Sequence, residues 1–97
     1  MKIRLIGLEK IISGKDGVEI VTRLRELDHT STDSLENYMK LLVERAQKMA
    51  EIVERDQVSL NFDYKNFQPD LSGSLDKQCR NFVAELIKTR LAIIVEP

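Results

Sequence analysis

LENYMKLLVERAQKMAEIV, residues 35 to 53, sets Leu35, Met39, Leu42, Ala46, Met49 and Val53 at steps of four, three, four, three and four. That spacing is the period of an amphipathic helix. On a wheel these six positions form a narrow seam, and Tyr38, Leu41, Val43, Ala50 and Ile52 widen it to roughly 200°, against the ~100° stripe that one core face needs. A single neighbour cannot cover such an arc. The helix must be wrapped by several elements of its own chain or shared with a second chain. The opposite face carries Glu36, Lys40, Glu44 and Lys48, an i to i+4 series of alternating sign continued by Glu51 and Arg55. Such pairs contribute a few tenths of a kcal/mol each, about 0.2 to 0.5, and mark the side that meets water. The predicted helix runs over about residues 33–55, and Asp33 with Glu36 has the form of a capping box.

Outward from this helix the pattern alternates between strand and helix signals. Lys2 to Leu8 holds the alternation Ile3, Leu5 with a slip at Ile6-Gly7, which predicts a short strand. Ser13-Gly14-Lys15-Asp16-Gly17 is a turn, and Asp16 followed by Glu19 repeats the capping pattern. A helix from Gly17 to Leu27 follows, with Ile20, Val21, Leu24 and Leu27 at helical spacing. The β-branched residues Val18, Ile20, Val21 and Thr22 also suit a strand paired with the first, so a hairpin remains open. Val58, Leu60, Phe62 and Tyr64 alternate with Ser59, Asn61 and Asp63 and predict a half-buried strand. Ser74 caps a third helix whose apolar side is Leu75, Cys79, Phe82, Val83, Leu86 and Ile87. Leu91 to Val95, five apolar residues after Arg90, suits either a final buried strand or a continued helix, and the strand is favoured. The expected architecture is α+β: a sheet of about three strands covered by two or three helices, one of them long. Leu42, Met49 and Phe82 should share one core.

The whole chain, residues 1–97, suits one domain, a length that can bury a core without metal or disulfide support. With 42% hydrophobic and 32% charged residues it has the composition of a folded soluble chain rather than a disordered one. Cys79 is the single cysteine, so no internal disulfide can form, which favours a reducing compartment. Charge breaks the apolar N-terminus too early for a signal peptide, and no run reaches the ~18 residues of a membrane span. The expectation is a cytoplasmic protein. The net charge of −1 divides into +3 over residues 1–25, −4 over 26–56 and zero over 57–97, which is not the concentrated basic face of most nucleic-acid binders.

Chemistry-bearing patterns are sparse. His29 lies among Asp28, Thr30, Ser31, Thr32, Asp33 and Ser34, but adjacent hydroxyls and aspartates before a helix are what caps and turns require, whereas triad members converge from separate parts of a fold. A lone histidine also lacks the ligand number of a zinc site. Asp63, Asn66, Asp70 and Asp76 do not follow the EF-hand spacing, and Gly14-Lys15 is followed by Asp16 rather than the hydroxyl of a phosphate loop. Cys79 falls on an apolar helix side, where desolvation disfavours a thiolate. No cofactor is implied.

Arg45 lies inside the broad apolar arc. Its stem can cover apolar surface while its guanidinium reaches water or an acidic side chain, or it can pair across two chains. The reading with most physical support is a non-enzymatic protein-interaction or regulatory module that self-associates as a homodimer, with Leu41, Arg45 and Ile52 at the interface. The alternative is a nucleic-acid-associated regulator using Arg23 and Arg25. A weaker one is a small enzyme with its site in the link 28–34.

Overall fold

A computed structural model describes residues 1–5, 10–28, 34–56 and 64–96. Six elements follow in order: β1 (Lys2–Leu5), β2 (Ile11–Ser13), α1 (Gly17–Asp28), α2 (Leu35–Asp56), α3 (Leu75–Lys88) and β3 (Ala92–Glu96). The strands form an antiparallel sheet in the order β2-β1-β3. This is the small α+β fold that the sequence implies, with the helix reading of residues 17–28 in place of the strand alternative.

Each helix starts where a short polar side chain can take an orphan amide. Asp16 Oδ1 accepts from the Glu19 amide at 2.9 Å, and Ser74 Oγ accepts from Lys77 N at 3.2 Å. At α2 the expected cap, Asp33, lies outside the described residues. The hydroxyl of Ser34 accepts from Asn37 N at 3.1 Å and fixes the start one residue later than expected. Within α1, Thr22 donates its hydroxyl to Val18 O at 2.7 Å, so one of the β-branched residues that argued for a strand bonds to the helix backbone instead.

The strand assignment needs one correction. Ile11–Ser13 is a strand the sequence pattern did not reveal, since three residues are too few to display a period of two. It pairs with β1 in the register Ile3↔Ile12, so the N-terminal hairpin exists, but Ile11–Ser13 rather than residues 18–22 supplies its second strand. The strand expected from Val58 to Asp63 lies outside the described residues, and Tyr64 sits in a bend. β3 forms as favoured, pairing with β1 through Ile3↔Ile94 and Leu5↔Ala92, with an irregularity beside Lys2.

One face of the sheet presents Ile3, Ile12 and Ala92 to the core, and α1 and α3 pack on each other over it, α1 touching β2 and α3 touching β3. The two helices are in tight contact at Gly17, where a Cβ would stand 2.8 Å from the amide nitrogen of Arg80. α2 lies against both helices and buries Tyr38, Met39 and Ala46. Its 22 residues correspond to about 33 Å at ~1.5 Å per residue, close to the 37 Å longest dimension of the molecule. Lys40, Glu44, Lys48 and Glu51 face solvent, as the charge pattern implies.

The broad apolar arc is only partly covered. Leu35, Leu42 and Val43 pack against the core, but Met49 and Ile52, about two and three turns beyond Leu42, are each 40% exposed. The expected trio is therefore corrected: Phe82 is fully buried and Leu42 packs against the same core, whereas Met49 is left partly exposed, because the covered positions of α2 lie mainly in its N-terminal half.

Candidate functional site

Tyr38, Leu42, Arg45, Ala46 and Met49 follow one another at helical spacing on α2, and together they line a cavity of about 540 Å³. Six leucines complete much of its wall: Leu5 on β1, Leu24 and Leu27 on α1, Leu42 on α2, Leu86 on α3 and Leu91 before β3. Phe67 also lines it and packs edge-on against Phe82, with ring centroids 5.3 Å apart at 76°. The size and the apolar lining fall within the ~300 to 1,000 Å³ range of small-molecule sites.

One polar cluster interrupts the apolar wall. Asp28 ends α1, where the helix dipole disfavours a carboxylate. Arg45 Nη1 donates to Asp28 Oδ2 at 2.9 Å and offsets that charge. The buried Tyr38 phenol also hydrogen-bonds Asp28, and its pKa is pushed well up, first by desolvation and then by the neighbouring carboxylate. Cation, carboxylate and phenol thus form a unit without net charge that ties the end of α1 to the middle of α2. The Arg45 side chain is about half exposed.

The candidate interface residues are separated in character. Leu41 is half-buried, Ile52 is exposed, and Arg45 makes its ion pair inside the subunit. Arg23 pairs with Glu19 one turn earlier at 3.0 Å, and Arg25, two positions on, points about 200° away around the helix. The two arginines are therefore not brought onto one face. In the link 28–34, only Asp28 and Ser34 are described; one pairs with Arg45 and the other caps α2. Among the described residues no three His, Cys, Asp or Glu side chains are grouped so as to hold a metal ion. A second, polar cleft lies among Asn66, Gln68, Glu85, Lys88 and Thr89, where Glu85 accepts from the Gln68 amide at 3.3 Å.

Cys79 is fully buried on α3, and its thiol is pushed up to about 11, chiefly by desolvation and further by the Asp76, Asp16 and Glu36 carboxylates. It packs as a small hydrophobe. The raised value has a stability consequence: between pH 9.0 and about 11 the unfolded thiol ionises while the folded one keeps its proton. Stability should accordingly be fully present below that window and fall as pH rises through it. Urea denaturation across the window should show this decline, and Cys79→Ala should flatten it; an unchanged slope in the variant would assign the alkaline loss to other groups.

Asp28 and Tyr38 are the site residues that sequence reasoning missed. Asp28 reads as a linker residue and Tyr38 as one more apolar position. The available signal was the stripe Tyr38, Leu42, Arg45, Met49, a charge held between apolar neighbours that needs a nearby carboxylate. Among the described residues no helix is long and apolar enough to cross a membrane. Set against protein-family models, curated proteins and solved structures, the chain has no match in any of the three comparisons.

Proposed function

We propose that the chain is a non-enzymatic interaction module that self-associates in the cytoplasm as a two-fold dimer. The observation that carries this reading is β3. It stands on the outside of the sheet order among the described residues and exposes three consecutive aliphatic side chains, Ile93 at 38%, Ile94 at 51% and Val95 at 45%. Ile94 pairs with the buried Ile3 and so belongs to the core-facing side of the sheet, yet half of it is open. An outer strand is ordinarily protected by lysine, proline or a covering element, because its unpaired amides and carbonyls invite another strand. Ala92 to Val95 carries neither lysine nor proline.

A second copy is the occupant that suits this edge. Antiparallel pairing of β3 with the β3 of its partner about an axis at Ile94 sets Ile94 against its own copy and Ile93 against Val95, and closes the assembly at two chains. Met49 and Ile52 on α2, with the half-buried Leu41, form a separate apolar surface that can be tested independently. Sedimentation equilibrium at tens of micromolar protein should report twice the chain mass of 11.2 kDa. Ile94→Lys should shift the mass toward monomer with the fold intact, while Leu41→Glu with Ile52→Glu should leave it unchanged. The opposite pattern would transfer the interface to α2, and a native chain that stays monomeric at hundreds of micromolar would remove the self-association reading.

A further inference from the structure

The cavity bounded by α1, α2 and α3 joins a leucine wall to an ion pair that is already neutralised from within. Leu24, Leu27, Leu42 and Leu86 offer a ligand no hydrogen-bonding group. Asp28 accepts from both Arg45 and Tyr38, so the polar part of the wall has directional groups but no net charge. A carboxylate sharing Arg45 would leave the Asp28–Arg45 unit, paired at 2.9 Å, with a net negative charge beside the leucines, and an ammonium sharing Asp28 would leave a net positive one. A neutral guest avoids either charge. A guanidinium can donate to more than one acceptor, so a hydroxyl or carbonyl oxygen placed beside Asp28 can share Arg45.

We propose that this cavity binds a neutral aliphatic molecule carrying one hydroxyl or carbonyl group, with its hydrocarbon against the leucines and its oxygen on the Asp28–Arg45 unit. The selectivity follows from the electrostatics of the wall: a neutral chain binds more tightly than a carboxylate or an ammonium of the same length.

The test titrates the full chain with 1-octanol below its solubility limit and with octanoate and octylammonium below their micellar concentrations, and follows the leucine methyl resonances by NMR. The expected result is saturable binding of 1-octanol, with shifts centred on Leu24, Leu27 and Leu42, and affinities for both charged probes lower by about tenfold or more, the penalty of an uncompensated buried charge. Leu42→Phe, which adds volume to the cavity wall, should abolish the 1-octanol shifts. If that variant does not fold, Leu27→Met supplies a volume-conserving change that should alter the methyl shift pattern while retaining binding. Absence of saturable 1-octanol binding would overturn the proposal. So would binding of either charged probe as tight as that of the alcohol, or shifts located away from the three leucines.

Discussion

Phe82→Ala should lower the free energy of unfolding by about 3 to 5 kcal/mol, the usual range for deleting a buried aromatic side chain. Phe82 is fully enclosed on α3 and holds Phe67 edge-on, so truncation removes both its own burial and the partner against which the 64–71 segment is seated. The cavity left behind should not collapse easily, because its other walls belong to elements fixed by the sheet and by α1. Urea denaturation monitored by far-ultraviolet circular dichroism measures the loss as a shift in midpoint at constant slope. A loss below about 1 kcal/mol, the size typical of less consequential sites, would show that Phe82 is not the centre of the core.

The second large effect is expected at Gly17, and its sign opposes ordinary helix propensity. Replacing a helical glycine with alanine normally stabilises, by about 0.5 to 1 kcal/mol in a helix interior. Here the added Cβ would stand 2.8 Å from both the Arg80 amide nitrogen and the Cys79 carbonyl carbon, and 3.0 Å from the Cys79 oxygen. All three are backbone atoms of α3, so no side chain can swing aside and the helices must separate. Overpacking of this kind costs about 1 to 3 kcal/mol, and a backbone obstacle places Gly17→Ala at the upper end, with a net loss of about 2. A Gly17→Ala variant as stable as the native chain in the same denaturation experiment would mean that α1 and α3 do not meet so closely.

The elements legible from sequence are those whose signal is local. The seam Leu35, Met39, Leu42, Ala46 specified α2, the Asp16 and Ser74 side chains specified the starts of α1 and α3, and the aliphatic run after Arg90 favoured β3 over a continued helix. These features depend on periodicity and on the unsatisfied amides of a helix end, which a few consecutive residues determine by themselves. Ile11–Ser13 was illegible because it is a strand by virtue of pairing with β1, and its own three residues carry no period. Ser34 caps α2 among the described residues, and either it or the neighbouring Asp33 is a short polar side chain of the kind a helix start accepts.

The candidate site was less legible than the fold. Arg45 stood out as a charge in an apolar arc, but its partner, Asp28, is seventeen positions away and resembled a turn residue. The apolar breadth of α2 was plain, while the part left open was not. Met49 and Ile52 are partly exposed because the covered positions of α2 lie mainly in its N-terminal half, and Ile94 is half open although its register aligns it with the core. Local patterns of hydrophobicity and capping thus determined the principal helices, the composition of a folded α+β chain and the solvent face of α2. Only the tertiary arrangement decided which apolar side chains are covered, that Gly17 lies against the backbone of α3, and that Arg45, Asp28 and Tyr38 meet, because each of these depends on where a distant segment of the chain comes to rest.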